Sequence, residues 1–330
     1  MKRVVWVIPA LLLLTLPALG GLITFQTFTG TVGYSSDGFG SLSQSGTISA
    51  SVPVGATVLA AYLYSGSNFN ATGAGIGGTL GGSALGPGTF VLNTGVCCDL
   101  GMTRFNVTSI VKPVIDVGPG GLYNFDITET SASQDGEALV VVYSLPGLAT
   151  STVAILDGFS NAGGDSFTAS FVDPLDPTAA GFFAEMALGI NFSCGDANCG
   201  GIQSSIVTVN GTTITENAGN YDDSDLPPPG NAADGRLFTM GGFNDPFSAL
   251  LPSYADDHER YNLVPFISMG DTSIVVGTNN PSNDDNIFLA VFAVAGEAEV
   301  TPTIPEPSTW ALLGTGMLVV GLWKRRRPQA

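Results

Sequence analysis

"RFNVTSIVK" (Arg104–Lys112), followed by "GLYNFDITETSASQDGEALVVVYSLPG" (Gly121–Gly147), returns later in the chain as "RYNLVPFISMGDTSIVVGTNNPSNDDNIFLAVFAVAG" (Arg260–Gly296). Both stretches run Arg-aromatic-Asn-apolar, then an alternating segment, a polar loop and a nearly continuous apolar segment. Alternation at a period of two reads as a half-buried strand, and a short unbroken apolar run as a strand covered on both faces. Ala138–Tyr143 and Ile287–Val294 are the runs of the second kind. The first copy is longer by several residues around Val114–Gly120. Upstream, "TISASVPVGATVLAAYLYSGSNF" (Thr47–Phe69) is echoed more weakly by "SFTASFVDPLDPTAAGFFAEMALGINF" (Ser166–Phe192).

The pattern predicts an all-β chain of two related antiparallel β-sandwich domains, jelly-roll or immunoglobulin-like, over residues 22–160 and 161–298. The Gly-rich stretch Asn161–Asp165 is the expected joint. One large sandwich whose strands merely share β composition is the other reading. The clearest local signal is "SSIVTVNGTTITE", in which Asn210-Gly211 separates two β-rich arms and supplies the positive φ angles of a type I′ hairpin turn.

Composition agrees. Val, Ile, Thr, Phe and Tyr occur in short runs punctuated by Gly, Asn, Asp, Ser and Pro, with 44 glycines, 20 prolines and only 12% charged residues in the 330-residue chain. The net charge is −18. Residues 21–304 hold Arg104, Lys112, Arg236 and Arg260 against 27 carboxylates, so 4 − 27 gives −23 for the middle of the chain. No cationic surface for a phosphate backbone can be built from these residues, which excludes nucleic acid as a partner.

The ends read differently. Lys2 and Arg3, the apolar Val4–Leu16 and the Pro17–Gly20 turn have the order of a signal peptide over residues 1–20, cut after Gly20; an uncleaved anchor helix is the alternative. After a polar linker at 299–304, Trp310–Trp323 offers 14 apolar or small residues before Lys324, Arg325, Arg326 and Arg327. That is about 21 Å of helix, a short transmembrane segment with a basic stop at its end.

This arrangement resembles the PEP-CTERM sorting signal of Gram-negative bacteria. Pro305-Glu306-Pro307 is the name motif, Ser308-Thr309-Trp310 continues it, and the apolar helix and Arg325–Arg327 cluster follow. The resemblance covers residues 305–330 and implies export, recognition and removal of the tail by an exosortase, a membrane-anchored intermediate, and a final place at the cell surface or outside it. More loosely, "AAYLYSG", "NVTSIV" and "DGEALVVVYS" resemble an uncharacterised class of bacterial surface β domains, which implies a fold and a location but no activity.

Candidate chemistry is sparse. The sole histidine, His258, sits in "ADDHERYN", and there is no H-E-x-x-H, G-x-S-x-G or phosphate loop. No catalytic residue is assigned, and the chain is expected not to be an enzyme. Cys97, Cys98, Cys194 and Cys199 fit an exported chain meeting an oxidising compartment, with Cys194–Cys199 the expected bond; their spacing lacks the repeated C-x-x-C of a zinc site. Acids bunch in "YDDSDLPPPGNAADG", "YADDHER" and "NNPSNDDNIF". Asp222, Asp223, Asp225, Asp284 and Asp285 are candidate calcium ligands, with solvated turns as the alternative. Gln134, Asp135 and Glu137 are expected to occupy the first-copy counterpart of the Asn283–Asn286 loop, and Arg260 is a candidate partner for the latter. The expected role is structural or adhesive, with extracellular polysaccharide a candidate partner. A glycan-active hydrolase using a carboxylate pair and a calcium-dependent carbohydrate-binding module are the rivals.

Overall fold

In a computed structural model, residues 21–40, 43–93, 97–192, 204–219, 223, 238–282 and 286–303 are described. The predicted signal peptide and tail helix lie outside these residues. Among the described residues no helix is long and apolar enough to cross a membrane.

Twenty strands follow one another among the described residues, all paired antiparallel. The first ten are β1 (Ile23–Gly30), β2 (Val32–Gly40), β3 (Ser45–Val52), β4 (Thr57–Ser67), β5 (Gly78–Leu80), β6 (Ser83–Ala84), β7 (Thr89–Leu92), β8 (Gly101–Asn106), β9 (Gly121–Glu129) and β10 (Gln134–Ser144). The rest are β11 (Ser151–Asp157), β12 (Asp165–Phe171), β13 (Ala184–Asn191), β14 (Ile206–Val209), β15 (Thr212–Thr215), β16 (Phe238–Met240), β17 (Arg260–Asn262), β18 (Ser273–Asn279), β19 (Asn286–Ala295) and β20 (Ala298–Thr303). A helix, α1 (Thr108–Ile115), leads into the insertion of the first sequence copy and buries Val111 and Ile115.

These strands make four sheets, in the orders β2-β10-β4-β8-β7, β3-β9-β5-β6, β1-β11-β19-β13-β16 (with β17 also on β13) and β15-β14-β18-β12-β20. Three cores follow from the alternation of side chains along the strands. Leu139 and Val141 of β10 join Ile48, Phe125 and Ile127 in one core. Ala290, Phe292 and Val294 of β19 join Phe167, Ile274 and Val276 in another. The opposite faces of the same strands, Ala138, Val140 and Val142 with Leu289, Val291 and Ala293, share a third. The inner sheets holding β10 and β19 therefore pack on each other, and each also covers an outer sheet. This is why these two runs are apolar on both faces.

The repeat is visible in the pairing. β10 pairs β4 with a bulge at Asp135, since Gln134 faces Ser67 and Gly136 faces Gly66. β19 pairs β13 with a bulge at Phe288, since Ile287 faces Ile190 and Leu289 faces Gly189. Arg104 faces Tyr64 on β8, as Arg260 faces Ala187 on β17. A bulge is a placed feature rather than a defect, and its recurrence at one register position fixes the correspondence of the halves: Asp135 with Phe288, Glu137 with Ala290, Ser65 with Leu188.

The strand pairing divides the chain differently from the expected joint at 160/161. β11 pairs both β1 and β19, so the N-terminal strand and residues 151–157 belong to the inner sheet of the second half. The first half is residues 32–144, and the crossing falls at 145–150. Residues 21–305 form one compact unit. The polar stretch at 299–304 is a linker only at its end, because Ala298–Thr303 pairs β12 as an edge strand. The Asn210-Gly211 turn stands as expected, with φ of 49° and 80° between β14 and β15.

Candidate functional site

Polar side chains close one end of the first-half core. β9 turns Tyr123, Phe125 and Ile127 inward, and the next inward residue is Glu129. β10 turns Leu139 and Val141 to the same core and, two residues earlier, Glu137. β4 and β8 supply Ser65 and Thr103, which face each other across their strands. Gly136, in the bulge, has φ of 146°, and a Cβ there would lie 2.3 Å from the carbonyl oxygen of Phe39. Glycine alone lets β10 reach β2 while carrying Glu137 inward.

Glu129, Asp135 and Glu137 expose 9%, 4% and 2% of their surface. Donors reach only one carboxylate oxygen of Glu137: the Ser65 hydroxyl donates to Oε1 at 3.0 Å and Gln134 Nε2 to the same atom at 3.2 Å. The Gln134 amide oxygen accepts from the N–H groups of Gly77, Thr130 and Ser131, which orients its NH2 group towards the carboxylate. Both oxygens of Glu129, Oε2 of Glu137, Oδ2 of Asp135 and Oγ1 of Thr103 are buried without a partner. An unsatisfied buried polar group costs about 1–3 kcal/mol, more when it is charged.

Burial is the main cause that pushes all three carboxyls up, and the charge of Glu137 adds to it at Glu129 and Asp135. Asp135 reaches about 8, by desolvation and by the charge of Glu137. Glu129 is raised by desolvation and by Glu137 beside it. Glu137 is raised less, because hydrogen bonding from Glu129, and then from Ser65 and Gln134, stabilises its ionised form. Two ionised carboxylates cannot donate to each other, so a hydrogen bond between them requires a proton on one. Glu129, with no donor of its own, is the member that holds it.

The acids of the second half sit differently. Asp257 and Glu259 are fully buried. Asp257 accepts from the hydroxyls of Thr215, Ser248 and Tyr261, although desolvation still raises its pKa. Glu259 accepts from Thr239 Oγ1 at 2.7 Å and the Gly219 N–H at 3.0 Å.

The residues singled out in the sequence fare unevenly. Asp284, Asp285, Asp222 and Asp225 lie outside the described residues, as do Cys194 and Cys199, Pro305, Glu306, Pro307, and Arg325, Arg326 and Arg327. Asp223 takes a backbone role: its carbonyl accepts from the Gly40 N–H and its carboxylate from that of Met240. Among the described residues no three His, Cys, Asp or Glu side chains are grouped to hold a metal. Gln134, Asp135 and Glu137 belong to a strand rather than to an exposed loop, and their register counterparts are the apolar Ile287, Phe288 and Ala290. The expected recurrence of acids at one place of the repeat is therefore corrected. Arg260 pairs with Glu185 at 3.2 Å, donates to the carbonyls of Phe243 and Asp245, and lies 4.5 Å over the Phe247 ring. Cys98, at φ of 70°, is not a free thiol.

Glu129 carries no mark of its role in the sequence. It ends an alternating strand, where a polar residue reads as the first turn residue. Its inward phase, continuing that of Ile127, was the available signal.

The PEP-CTERM protein-sorting motif family matches residues 303–327. The chain carries a PEP-CTERM signal. It spans Pro305-Glu306-Pro307, the apolar segment and the basic cluster. That signal suggests an exosortase-sorted extracellular protein that passes through a membrane-anchored intermediate. Neither curated proteins nor solved structures yield a match to the chain.

Proposed function

We propose that the mature protein is a non-enzymatic structural or adhesive component of the cell surface or extracellular matrix, with each half a two-sheet sandwich and the PEP-CTERM tail removed by an exosortase. The observation that carries this reading is the sorting motif at 303–327. The core supports it. A hydrolase of the two-carboxylate kind needs both groups lining an open cleft, whereas Glu129 and Glu137 are shut inside a sheet pair. A groove of about 430 Å³ beside β15 and β17 is lined instead by Ile214, Phe247, Leu250, Tyr261, Pro265 and Phe266. It offers a mainly apolar lining to neutral polysaccharide, and the acidic surface repels polyanions.

The cysteines fit an exported, oxidised protein. Asn191 Nδ2 donates to the Gly101 carbonyl at 3.0 Å, which brings the chain leading to Cys194 next to the chain leaving Cys98. A bond between these loops competes with the local Cys194–Cys199 bond, and peptide mapping of unreduced protein tells them apart.

The test is fractionation in a host that has the exosortase and in one that lacks it. With the enzyme, the core leaves the membrane without its tail; without it, the full chain stays membrane-bound, and deleting Trp310–Ala330 releases it. A truncated chain that remains in the membrane overturns the anchoring. Glycan hydrolysis by the exported protein overturns the non-enzymatic reading.

A further inference from the structure

We propose that Glu129 and Glu137 form a proton-operated latch between the two sheets of the first half, in which one shared proton ties the end of β9 to the start of β10 and its loss loosens that end. Donors around the pair are few. Around the pair, β4 presents Ser65, β8 presents Thr103, β10 presents Gln134 and Asp135, β5 pairs Gly78 with Glu129, and β2 pairs Phe39 with Glu137. The turn 130–133 gives its N–H groups to Gln134 and not to the acids.

No described cation reaches the pair. Arg104 is engaged by Asp157, Lys112 by Asp116 and Arg260 by Glu185, and the backbone N–H of His258, which donates to Ser248 Oγ, places that residue in the second half. Three buried oxygens at this end of the core, both of Glu129 and Oε2 of Glu137, thus have neither a donor nor a counter-charge among the described residues. A proton on Glu129 resolves this at once, donating O–H to the Glu137 carboxylate. When that O–H bond breaks, the proton passes to solvent and two like charges are left in a dry interior, where they repel strongly. The proton is the cheapest occupant, since among the described residues no third ligating acid stands in metal-binding position.

The pair retains a proton in the folded chain at pH values where the unfolded chain, with ordinary carboxyls near ~4.3, has released it. Folded stability from this pair is therefore fully present below that value. It falls as pH rises, until the raised folded carboxyls have ionised. Asp135, at about 8, titrates in the same direction, as does Asp37 across the core, at about 7.

The experiment compares the full-length chain in detergent with Glu129→Gln. The wild type should melt at progressively lower temperature from pH 5 to pH 9. In that window its Thr128–Gln134 amides should exchange faster than the intrinsic rate predicts, and a carboxylic C=O infrared band should persist at neutral pH. The side-chain amide introduced by Glu129→Gln would donate a permanent N–H to Glu137. The variant should lose that band, keep its local exchange protection at pH 9 and show a shallower pH slope, retaining only the part due to Asp135, Asp37 and the other raised acids. An unchanged slope in Glu129→Gln, or wild type without the infrared band, overturns the latch. So does a melting-temperature rise with calcium chloride that abolishes the band, because a metal then holds the place of the proton. If Glu129→Gln does not fold, the infrared band and local exchange of the wild type still decide.

Discussion

Both halves of this protein bury acids at the same end of an equivalent sheet pair, yet only one half satisfies them. In the second half Asp257 and Glu259 receive three hydroxyls, a threonine and a backbone N–H. In the first half Glu129 receives nothing and Glu137 is served on one oxygen. Burial of a carboxylate is thus not by itself the anomaly; the supply of donors decides whether the group stays a structural acceptor or must hold a proton. The register makes the contrast sharper. Glu137 corresponds to Ala290 and Ser65 to Leu188, and continuing the inward phase of β18 past Thr278 brings the counterpart of Glu129 to Asn280, a buried amide that donates to Asn286 at 2.8 Å. The second half filled these positions with apolar or neutral groups.

The strongest way to break this comparison is at the shared bulge. Phe288 is fully buried against Tyr64 and Phe238 at ring distances of 6.2 and 5.4 Å. Phe288→Ala should cost about 3–5 kcal/mol by denaturant unfolding. Its counterpart Asp135→Ala should cost under ~1 kcal/mol or stabilise, because it removes an orphaned carboxylate oxygen. Equal losses at both positions would show that the halves share more than their register.

The paired arginines come next. Arg104 holds Asp157, whose side chain is 5% exposed and also accepts from the Tyr64 hydroxyl, and it stacks on Phe25. Arg104→Ala leaves that carboxylate buried and should cost about 3 kcal/mol. Arg260 and Glu185 are 23% and 19% exposed, so water can replace the lost partner and Arg260→Ala should cost only about 1–2 kcal/mol.

Asp257→Ala should destabilise by about 2 kcal/mol, since it strands the hydroxyls of Thr215, Ser248 and Tyr261. Glu129→Gln in the first half should instead raise stability at alkaline pH. Thermal melts at pH 8 give both signs in one series.

The smallest effect is expected at the matching hairpins. Asn210-Gly211 joins β14 to β15, and Gly81-Gly82 joins β5 to β6, all four at positive φ. Gly211→Ala and Gly82→Ala should each cost about 1 kcal/mol. A marked difference between them would show that tertiary contacts, such as those of Asn210 with Phe266 and Val275, share the turn's work.

Much of the fold was legible because it rests on local chemistry. Asn210-Gly211 announces its turn through φ preference, and Ala138–Tyr143 and Ile287–Val294 announce two covered faces through their unbroken apolar character. The repeat could be read from Arg104-Phe105-Asn106 and Arg260-Tyr261-Asn262. The helix at Thr108–Ile115 was not legible, since Pro113 and β-branched neighbours obscure it. The assignment of β1 and β11 to the second half was not legible either, because pairing partners more than a hundred residues apart leave no local mark.

Composition and order along the chain, by themselves, determined an acidic all-β core, a duplication and a PEP-CTERM address, because strand period, turn chemistry and sorting motifs are written in short runs of residues. Only the tertiary structure decided that Asp135 stands in the place of Phe288, that the inner sheets pack on one another, and that Glu129 meets Glu137. Those outcomes depend on which distant strands pair and in what register. A one-residue bulge there sets which face each carboxylate takes.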